Sequence, residues 1–410
     1  MHRVAVTGLG VIAPLGDNVE TLFSNLVAGR SGIGRLGFPD AHRLRSPIGA
    51  MAQLANNSKL TPAQLRMLDR VSLLAMDACD QAIADAGLDF TVEQPGRCGV
   101  CVGTALGGAS TTDAGYQTAY AQHSERIPPF SVLAAMHNAA ASWIGMQHGL
   151  TGANLTYSTA CSSSAVALGE AARRIQSGEA DIMLVGGAEA PLTFGVLLAW
   201  DALRVLATVD PVDPSASCRP FSANRSGLVL GEGAAFLVLE QWEHAQARNA
   251  RIHARLSGYG LTTDVTHITR PTVQGQAAAM RSALRSAGLQ PGQIDYINAH
   301  GTGTPQNDPV ETAAIREVFG ARAPQLPVSS TKSMHGHLLG AAGALEFLIS
   351  ILAMTKGVLP PTMHLDARDP ACDLDYIADH ARVANPVNAV MSNSFAFGGT
   401  NAVLIAQRAG

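Results

Sequence analysis

Asn154-Leu155-Thr156-Tyr157-Ser158-Thr159-Ala160-Cys161-Ser162-Ser163-Ser164 predicts a strand that runs into a sharp turn and then into a helix. Residues 165–176 carry apolar side chains at helical spacing, and Gly178 ends the helix. Cys161 therefore lies at a strand-to-helix turn, where the free N–H groups and the positive end of a helix favour a thiolate. This placement predicts a nucleophile. The alternative is a small buried apolar residue, as many free cysteines are.

The composition indicates a compact globular protein. The 410 residues are 47% hydrophobic and 15% charged, which allows a large core and two or three structural units. The net charge of −4 gives no electrostatic reason to bind nucleic acid or an acidic membrane. The N-terminus enters a strand directly, and no apolar run spans a membrane without charged or turn residues, so we expect a cytoplasmic protein. Six cysteines are too few for a disulfide scaffold.

The first strand is followed by Gly8-Leu9-Gly10-Val11-Ile12-Ala13, which matches the alanine-ended dinucleotide-binding fingerprint. That fingerprint needs a helix that begins at the glycines, whereas Pro14, Gly16 and Asp17 interrupt the stretch. No acidic residue ends a second strand about twenty residues later. We therefore predict that the glycines form a packed turn and bind no nicotinamide cofactor.

The order of elements recurs along the chain. A helix that ends at Gly87 precedes strand 98–103, and a helix that ends at Gly288 precedes strand 294–299. An offset of about 200 residues indicates a duplicated α/β unit rather than a solenoid, which would need more and shorter repeats.

The duplication predicts two halves that pack face to face. Strand 252–259 echoes the opening strand, Val4 to Gly8, and Arg248-Asn249-Ala250-Arg251 is the expected boundary. Residues 1–250 would carry the nucleophile, and residues 251–410 would form the second half.

Four further predictions concern local structure along the chain. A helix opens at Thr61-Pro62, continues through Ile83 and is closed by Ala86-Gly87-Leu88, and residues 50–58 are irregular. Strand 181–187 ends in glycines that leave room for a ligand beside the cysteine. Residues 228–239 form a hairpin or two short strands.

Two histidines are candidates for assisting Cys161. His300 ends a predicted strand and precedes Gly301-Thr302-Gly303-Thr304, where glycines let a ligand approach the backbone. His337 lies before a run of small and apolar residues suited to a buried helix. His335 and His337 together suggest a metal, but no further Cys, Asp or Glu stands at a recognisable spacing, so we predict no metal site.

Four motifs, in this order, resemble those of the β-ketoacyl synthases: Thr159-Ala160-Cys161-Ser162-Ser163-Ser164, Asn298-Ala299-His300-Gly301-Thr302-Gly303-Thr304, Lys332-Ser333-Met334-His335-Gly336-His337 and Asn393-Ser394-Phe395-Ala396-Phe397-Gly398-Gly399-Thr400-Asn401. Val6-Thr7-Gly8-Leu9-Gly10 and Arg219-Pro220-Phe221-Ser222 also fit. The likeness covers essentially the whole chain, and its length suits a standalone, acyl-carrier-protein-dependent enzyme of the elongating type II class.

The resemblance implies an acyltransferase with the thiolase fold, an α/β fold of two duplicated halves in five αβαβα layers. Cys161 would take the acyl chain as a thioester, with the backbone N–H groups of Cys161 and Phe397 as the oxyanion hole. His300 and His337 would stabilise the enolate formed when malonyl carrier protein loses carbon dioxide. No cofactor is implied, because the phosphopantetheine arm arrives on the acyl carrier protein.

The resemblance also implies supporting residues. Lys332 and Glu346 would form a buried charged pair, and Thr302 and Thr304 would hydrogen-bond the phosphopantetheine arm. Phe397 would be the gate beside the cysteine. The remaining substrate-pocket residues would be Leu106, Trp200, Phe395 and Ala396.

Three residues depart from the pattern of housekeeping elongation enzymes. His335 replaces a threonine, Ala396 replaces a glycine and Trp200 stands where phenylalanine is common. These features, with segment 190–207, resemble the nodulation-type and polyene-type synthases, which build conjugated unsaturated chains. The alternative is neutral drift combined with core packing.

Two other functions compete with condensation in fatty acid or polyketide biosynthesis. A chain-length-factor-like partner would do no chemistry, but such partners lack the nucleophile, and Cys161 is present. A thiolase-like acyltransferase would need a second catalytic cysteine in place of two histidines. The expected partners are an acyl carrier protein and a second subunit, either identical or chain-length-factor-like.

Overall fold

The structure is a computed structural model that describes residues 1–54 and 60–409. The predicted irregular stretch 50–58 therefore falls partly on residues 55–59, outside the described residues. The described strands are β1 (Val4–Ile12), β2 (Ile33–Arg35), β3 (Ile48–Ala50), β4 (Cys98–Gly103), β5 (Asn154–Tyr157), β6 (Ile182–Glu189), β7 (Gly233–Gln241), β8 (Ala254–Thr263), β9 (Tyr296–Asn298), β10 (Val328–Ser329), β11 (Val358–Leu359), β12 (Arg382–Val383), β13 (Ala389–Phe395) and β14 (Thr400–Gln407). The described α-helices are α1 (Val19–Val27), α2 (Pro62–Leu65), α3 (Arg70–Ala86), α4 (Ala109–Tyr116), α5 (Ser131–Ala135), α6 (Ala139–His148), α7 (Ser163–Gln176), α8 (Phe194–Leu203), α9 (Trp242–Ala247), α10 (Val273–Ala287), α11 (Asn307–Phe319), α12 (Lys332–His335) and α13 (Ala342–Lys356).

The main sheet shows the duplication directly. Its strand order is β10-β9-β13-β14-β8-β1-β7-β6-β4-β5, with β8 and β1 pairing at the centre. Outward from β1, the pairs β1–β7 and β7–β6 are antiparallel and the pairs β6–β4 and β4–β5 are parallel. Outward from β8, the pairs β8–β14 and β14–β13 are antiparallel and the pairs β13–β9 and β9–β10 are parallel. Both halves thus repeat one order and one set of directions, which confirms the predicted duplicated α/β fold.

Helices cover both faces of each half-sheet. The central helices α7 and α13 pack against each other and share one core cluster with both half-sheets. An outer cluster joins α3 and α6 to the first half-sheet, and a second outer cluster joins α10 and α11 to the second. The layers therefore follow the predicted αβαβα order.

The glycines of the opening motif lie inside β1 and not in a turn. A Cβ on Gly8 would lie 2.1 Å from the carbonyl oxygen of Ala82, and one on Gly10 would lie 2.0 Å from that of Ala78, both on α3. The predicted packed turn is therefore wrong, because the glycines let a helix lie directly on the strand.

The second half repeats this close contact. A Cβ on Gly258 would lie 2.5 Å from the carbonyl oxygen of Ala283, and one on Gly260 would lie 2.1 Å from that of Ala279, on α10. The apparent dinucleotide fingerprint is thus a packing feature that both halves share.

Three of the local predictions need correction. The helix expected to run from Thr61 to its end at Gly87 is two helices, α2 and α3, because Asp69 caps the N-terminus of α3 by accepting from the N–H of Val71. Strand β6 continues beyond its glycines to Glu189, and a Cβ on Gly187 would lie 2.6 Å from Cβ of Ser164, so these glycines serve packing and not a ligand.

The predicted hairpin over 228–239 is also wrong. Residues 233–241 form the single strand β7, which pairs with β1 and β6. Leu228 and Leu230 instead make isolated bridges to Leu206 and His337. The hydrophobic pattern predicted the extended backbone but not its partners, which are remote in sequence.

One segment, Leu339–Lys356, is apolar and long enough to cross a membrane by length and composition, but 89% of that window is buried inside the protein. It contains α13, a helix of the central layer.

The strand–helix contact predicts a cost for one added methyl group. Gly10→Ala should lower the free energy of unfolding by about 1–3 kcal/mol, the usual cost of overpacking. Gly115→Ala in α4, where an added Cβ meets nothing within 4 Å, is the matched control and should be neutral or stabilising. Thermal or urea unfolding of the two variants measures the difference, and equal stability would contradict the packing role of Gly10.

Candidate active site

Cys161 lies in a strained turn between β5 and α7. The turn is a 3-10 segment, Ala160–Ser162, and its first residue has a left-handed φ of 51°. The hydroxyl of Ser163 donates to the carbonyl oxygen of Ala160 at 2.7 Å and accepts from the N–H of Thr159 at 2.9 Å. A left-handed φ on a residue with a side chain is costly and persists only where the surroundings fix it. The turn thus holds the thiol in one position.

Burial dominates the electrostatics of the thiol. Cys161 is 5% exposed, and this burial raises the pKa of its thiol to about 11. The charge of Lys332 and the backbone N–H of Phe397 lower the pKa by less. Loss of water therefore favours the neutral thiol in the resting site, whereas the sequence predicted that the helix end favours a thiolate.

The structure brings the two candidate histidines to the cysteine. The Sγ atom of Cys161 and one ring nitrogen each of His300 and His337 lie within 4.8 Å of one another. Burial, followed by the charge of Lys332, holds the pKa of each histidine well below its usual value. Both rings are therefore neutral near pH 7.

The backbone fixes the tautomer of His337. Its Nδ1 accepts from the N–H of Leu339 at 3.3 Å, so in the neutral ring the proton is on Nε2. Nε2 of His337 and Nδ1 of His300 are buried and have no hydrogen-bond partner among the described residues. His337 thus presents an unused N–H donor beside the thiol.

The Cys161–His300–His337 group also has a spacing that could hold a metal ion. His335, the other metal candidate, has both ring nitrogens engaged: Nδ1 bonds to the carbonyl of Gly336 and Nε2 to the hydroxyl of Thr331, each at 2.8 Å. Its replacement of a threonine is thus accommodated by an internal hydrogen-bond pair. The absence of a metal stays a prediction.

A buried ion pair lies behind the histidines. The Nζ atom of Lys332 contacts Oε1 of Glu346, and both side chains are 1% exposed. Nζ also donates to the carbonyl oxygen of His300 at 2.7 Å. Burial raises the pKa of Glu346 to about 7, and the charge of Lys332 opposes this rise.

One cavity of about 210 Å³ opens onto Cys161 and both histidines. Six of the predicted substrate residues line it: Trp200, Thr302, Thr304, Phe395, Ala396 and Phe397. The hydroxyl oxygens of Thr302 and Thr304 lie 2.9 Å apart. Leu106 does not line this cavity but packs in the apolar cluster that contains Cys161.

The candidate gate makes an aromatic contact that the sequence did not show. The ring of Phe397 stacks on that of Trp200, with centroids 6.0 Å apart and planes at 21°. Gly398 and Gly399 carry the left-handed φ angles of this loop, 86° and 84°. Ala396 needs no left-handed φ, so alanine fits there without strain.

Sequence reasoning missed several residues. Loop 267–271 and Arg204 line the cavity mouth, and they carry no motif. Buried Glu311 accepts from the N–H groups of His300 and Gly301, both at 2.8 Å. The sequence feature that could have indicated Glu311 is its place as an acidic residue on the helix that follows the glycine-rich loop 301–304.

A duplicated thiolase-like fold that encloses a cysteine between two neutral histidines defines a condensing acyltransferase. Residues 1–245 match the model of the β-ketoacyl synthase N-terminal domain, and residues 253–366 match that of the C-terminal domain. The chain belongs to the β-ketoacyl synthase family.

Full-length relatives agree with this assignment. The chain is 44% identical over 403 residues to nodulation protein E of Rhizobium meliloti (strain 1021), with 98% of each chain covered. It is 40% identical over 410 residues to 3-oxoacyl-[acyl-carrier-protein] synthase 2 of Coxiella burnetii, with 99% of each covered. The solved structure of the ishigamide ketosynthase/chain length factor has a TM-score of 0.93 and 35% identity, with 100% of each chain covered.

The raised pKa predicts how alkylation of Cys161 depends on pH. The rate of carboxamidomethylation by iodoacetamide should keep rising up to pH 10, by about tenfold per unit, because the thiolate fraction grows until the pKa is reached. Peptide mass spectrometry at Cys161 measures the rate, and Cys161→Ala gives the background from the other five cysteines. A plateau below pH 8 would mean that the helix end, not burial, sets the pKa.

Proposed function

We propose that this protein joins an acyl chain held on Cys161 to malonyl-acyl-carrier protein, giving 3-oxoacyl-acyl-carrier protein and carbon dioxide. The observation that carries the proposal is one cavity in which a buried thiol lies within 4.8 Å of two neutral imidazoles. Family membership supports the reaction class, decarboxylative condensation in fatty acid or polyketide biosynthesis.

In the first step Cys161 takes the acyl chain from its carrier. The sulfur attacks the thioester carbon, and the backbone N–H groups of Cys161 and Phe397 stabilise the oxyanion. The thiol proton passes through a neutral histidine to the leaving pantetheine sulfur, so the arm departs as a thiol. The contact of the Phe397 N–H with the sulfur supports this placement of the oxyanion hole.

In the second step malonyl carrier protein enters the same cavity. The imidazole N–H groups of His300 and His337 donate to its thioester carbonyl, which becomes the enolate oxygen as carbon dioxide leaves. The enolate carbon attacks the acyl carbonyl, the bond to Cys161 breaks, and a proton restores the thiol. Lys332 would hold His300 in place, because its Nζ donates to the carbonyl oxygen of that residue, and Glu346 would hold Lys332 through their ion pair.

Thr302 and Thr304 are proposed to bind the phosphopantetheine arm, because their paired hydroxyls belong to the lining of the cavity that opens onto Cys161. Phe395, Ala396 and Phe397 would form the gate loop. Leu106 would form part of the acyl pocket through the cluster it shares with Cys161.

A second subunit is proposed to cover one apolar surface. Large apolar side chains are exposed in the segment from Tyr116 to Met136: Tyr116, Tyr120, Ile127, Phe130, Val132, Leu133 and Met136. A patch of this kind marks an interface. The partner is a second copy or a chain-length-factor-like subunit, as in the ishigamide ketosynthase/chain length factor. We further propose a cytoplasmic enzyme whose halves divide between residues 250 and 251.

The two rival functions fit the cavity less well. A non-catalytic partner has no use for a fixed thiol with two donors beside it. A thiolase-like enzyme needs a second cysteine, and among the described residues that line the cavity Cys161 is the only one.

Substitution of each catalytic group should separate the two steps. Cys161→Ala should take up no acyl mass. His337→Ala should still form acyl-Cys161 but release carbon dioxide from malonyl carrier protein on the order of a hundredfold more slowly, the usual effect of losing one such donor. Intact-mass spectrometry and carbon dioxide release measure the two steps. Acylated Cys161→Ala or near-normal release by His337→Ala would contradict the assignment.

The stack of Trp200 on Phe397 supports a preference for a conjugated acyl donor. Trp200 forms a flat, rigid wall of the cavity, along which a planar chain can lie. A flexible saturated chain loses more rotational freedom on entering. This is the specialisation that the departures from the housekeeping pattern favoured.

A competition experiment tests this preference. With a 2,4-dienoyl and a saturated acyl carrier protein of equal length, the dienoyl chain should be elongated faster by up to about tenfold, since stacking contributes about 0.5–1.5 kcal/mol. Trp200→Phe should reduce the ratio, and Trp143→Phe, in the outer layer, should not. If the saturated chain is elongated faster, and Trp200→Phe leaves the ratio of the two elongation rates unchanged, the protein is an ordinary fatty-acid elongating synthase.

A further inference from the structure

Glu189 is a fully buried acid at the end of β6 whose role no motif indicates. Its Oε1 accepts from the hydroxyl of Thr104 and the N–H of Leu106, both at 3.1 Å. Its Oε2 accepts from the N–H of Ala105 at 2.6 Å and from that of Gly340 at 2.9 Å. Burial raises the pKa of Glu189 to about 7, and these four hydrogen bonds oppose the rise. All four partners are neutral donors, which together match a carboxylate and would not match an amide.

Three of these donors belong to one wall of the acyl region. Residues 104–106 follow β4, and Leu106 packs in the cluster that contains Cys161 and Trp200. The loop cannot shift along β6 without breaking three hydrogen bonds to one side chain.

The fourth donor belongs to the turn that supports His337. Gly340 lies in a 3-10 turn, Leu339–Ala341, whose first residue has a left-handed φ of 45°. The N–H of Leu339 is the group that fixes the His337 tautomer. A Cβ on Gly340 would lie 2.4 Å from the amide nitrogen of Ala105, so the turn and the loop touch directly.

The turn is the duplicate of the one that holds the nucleophile. Ala160–Ser162 precedes α7 and begins with a φ of 51°, and Leu339–Ala341 precedes α13 and begins with a φ of 45°. The two turns lie against each other. Gly340 therefore occupies the place equivalent to Cys161, and its N–H is held by Glu189.

We infer that Glu189 is a positioning residue that locks the acyl-pocket wall at residues 104–106 to the turn supporting His337. Both the fit of the acyl chain in its pocket and the position of His337 during decarboxylation thereby depend on the buried carboxylate of Glu189. The inference rests on the proposed function, because it assigns decarboxylation to His337.

The isosteric variant Glu189→Gln tests the link. It places an amide NH₂ against N–H donors at unchanged volume, so the loop and the turn should separate. We expect kcat for carbon dioxide release to fall by about tenfold to a hundredfold, the scale of a small misplacement, with KM for malonyl carrier protein changed less than about threefold. Acyl donors of increasing length should also be discriminated less sharply.

Glu240→Gln is the matched control. Glu240 is equally buried, but it pairs with Ile182 at the opposite end of β6 and bonds Arg248 and Thr7. It should lose thermal stability and keep both kcat and the chain-length profile. If Glu189→Gln is insoluble, Thr104→Val removes one of the four hydrogen bonds and should shift both readouts in the same direction by less.

Both readouts must move for the inference to hold. A change in only one, or an equal fall in acyl loading and decarboxylation with an unchanged chain-length profile, would overturn it. A wild-type protein that releases no carbon dioxide from malonyl carrier protein would instead refute the proposed function.

Discussion

The positive charge of Lys332, buried where water cannot reach it, constrains the whole site. Removing an ammonium group from water costs several kcal/mol, so the charge needs close partners. Glu346 on α13 and the carbonyl oxygen of His300 supply them. This interaction ties α12 to the central helix α13 and to the loop after β9. The loop after β9, α12 and α13 therefore hold one another in position, and the two histidines are held with them.

Burial decides the protonation of the groups around this charge, and the charge adds to its effect. Burial lowers the pKa of His300, His335 and His337, and the charge of Lys332 acts in the same direction. The thiol of Cys161 is neutral as well, because burial raises its pKa. The resting site thus contains polar donors without net charge on the reacting groups. In the proposed reaction, charge appears only when the substrate forms an oxyanion or an enolate, and fixed donors act most strongly at that moment.

The sequence located the groups whose chemistry lies in local motifs. Cys161 and His300 each follow a strand and precede a tight turn, which a short pattern reveals. The prediction of a turn at Gly8 and Gly10 was wrong. A glycine in a turn and a glycine in a strand that packs against a helix have the same local sequence pattern, and only the position of the helix distinguishes them. Glu189 and the Trp200–Phe397 stack depend on contacts between segments remote in sequence, and no local pattern specifies such contacts.

The duplicated architecture explains why two equivalent turns make one site. The N–H of Ala344 on α13 donates to the hydroxyl of Ser164 on α7 at 2.8 Å, so the first turns of both central helices meet. At the position equivalent to Cys161, a Cβ on Gly340 would lie 2.4 Å from the amide nitrogen of Ala105, which leaves no room for a side chain there. One turn could therefore keep its side chain, the thiol of Cys161 that we propose as the nucleophile. The other turn, Leu339–Ala341, has glycine at this position, and its contribution to the site is the backbone N–H of Leu339, which donates to His337.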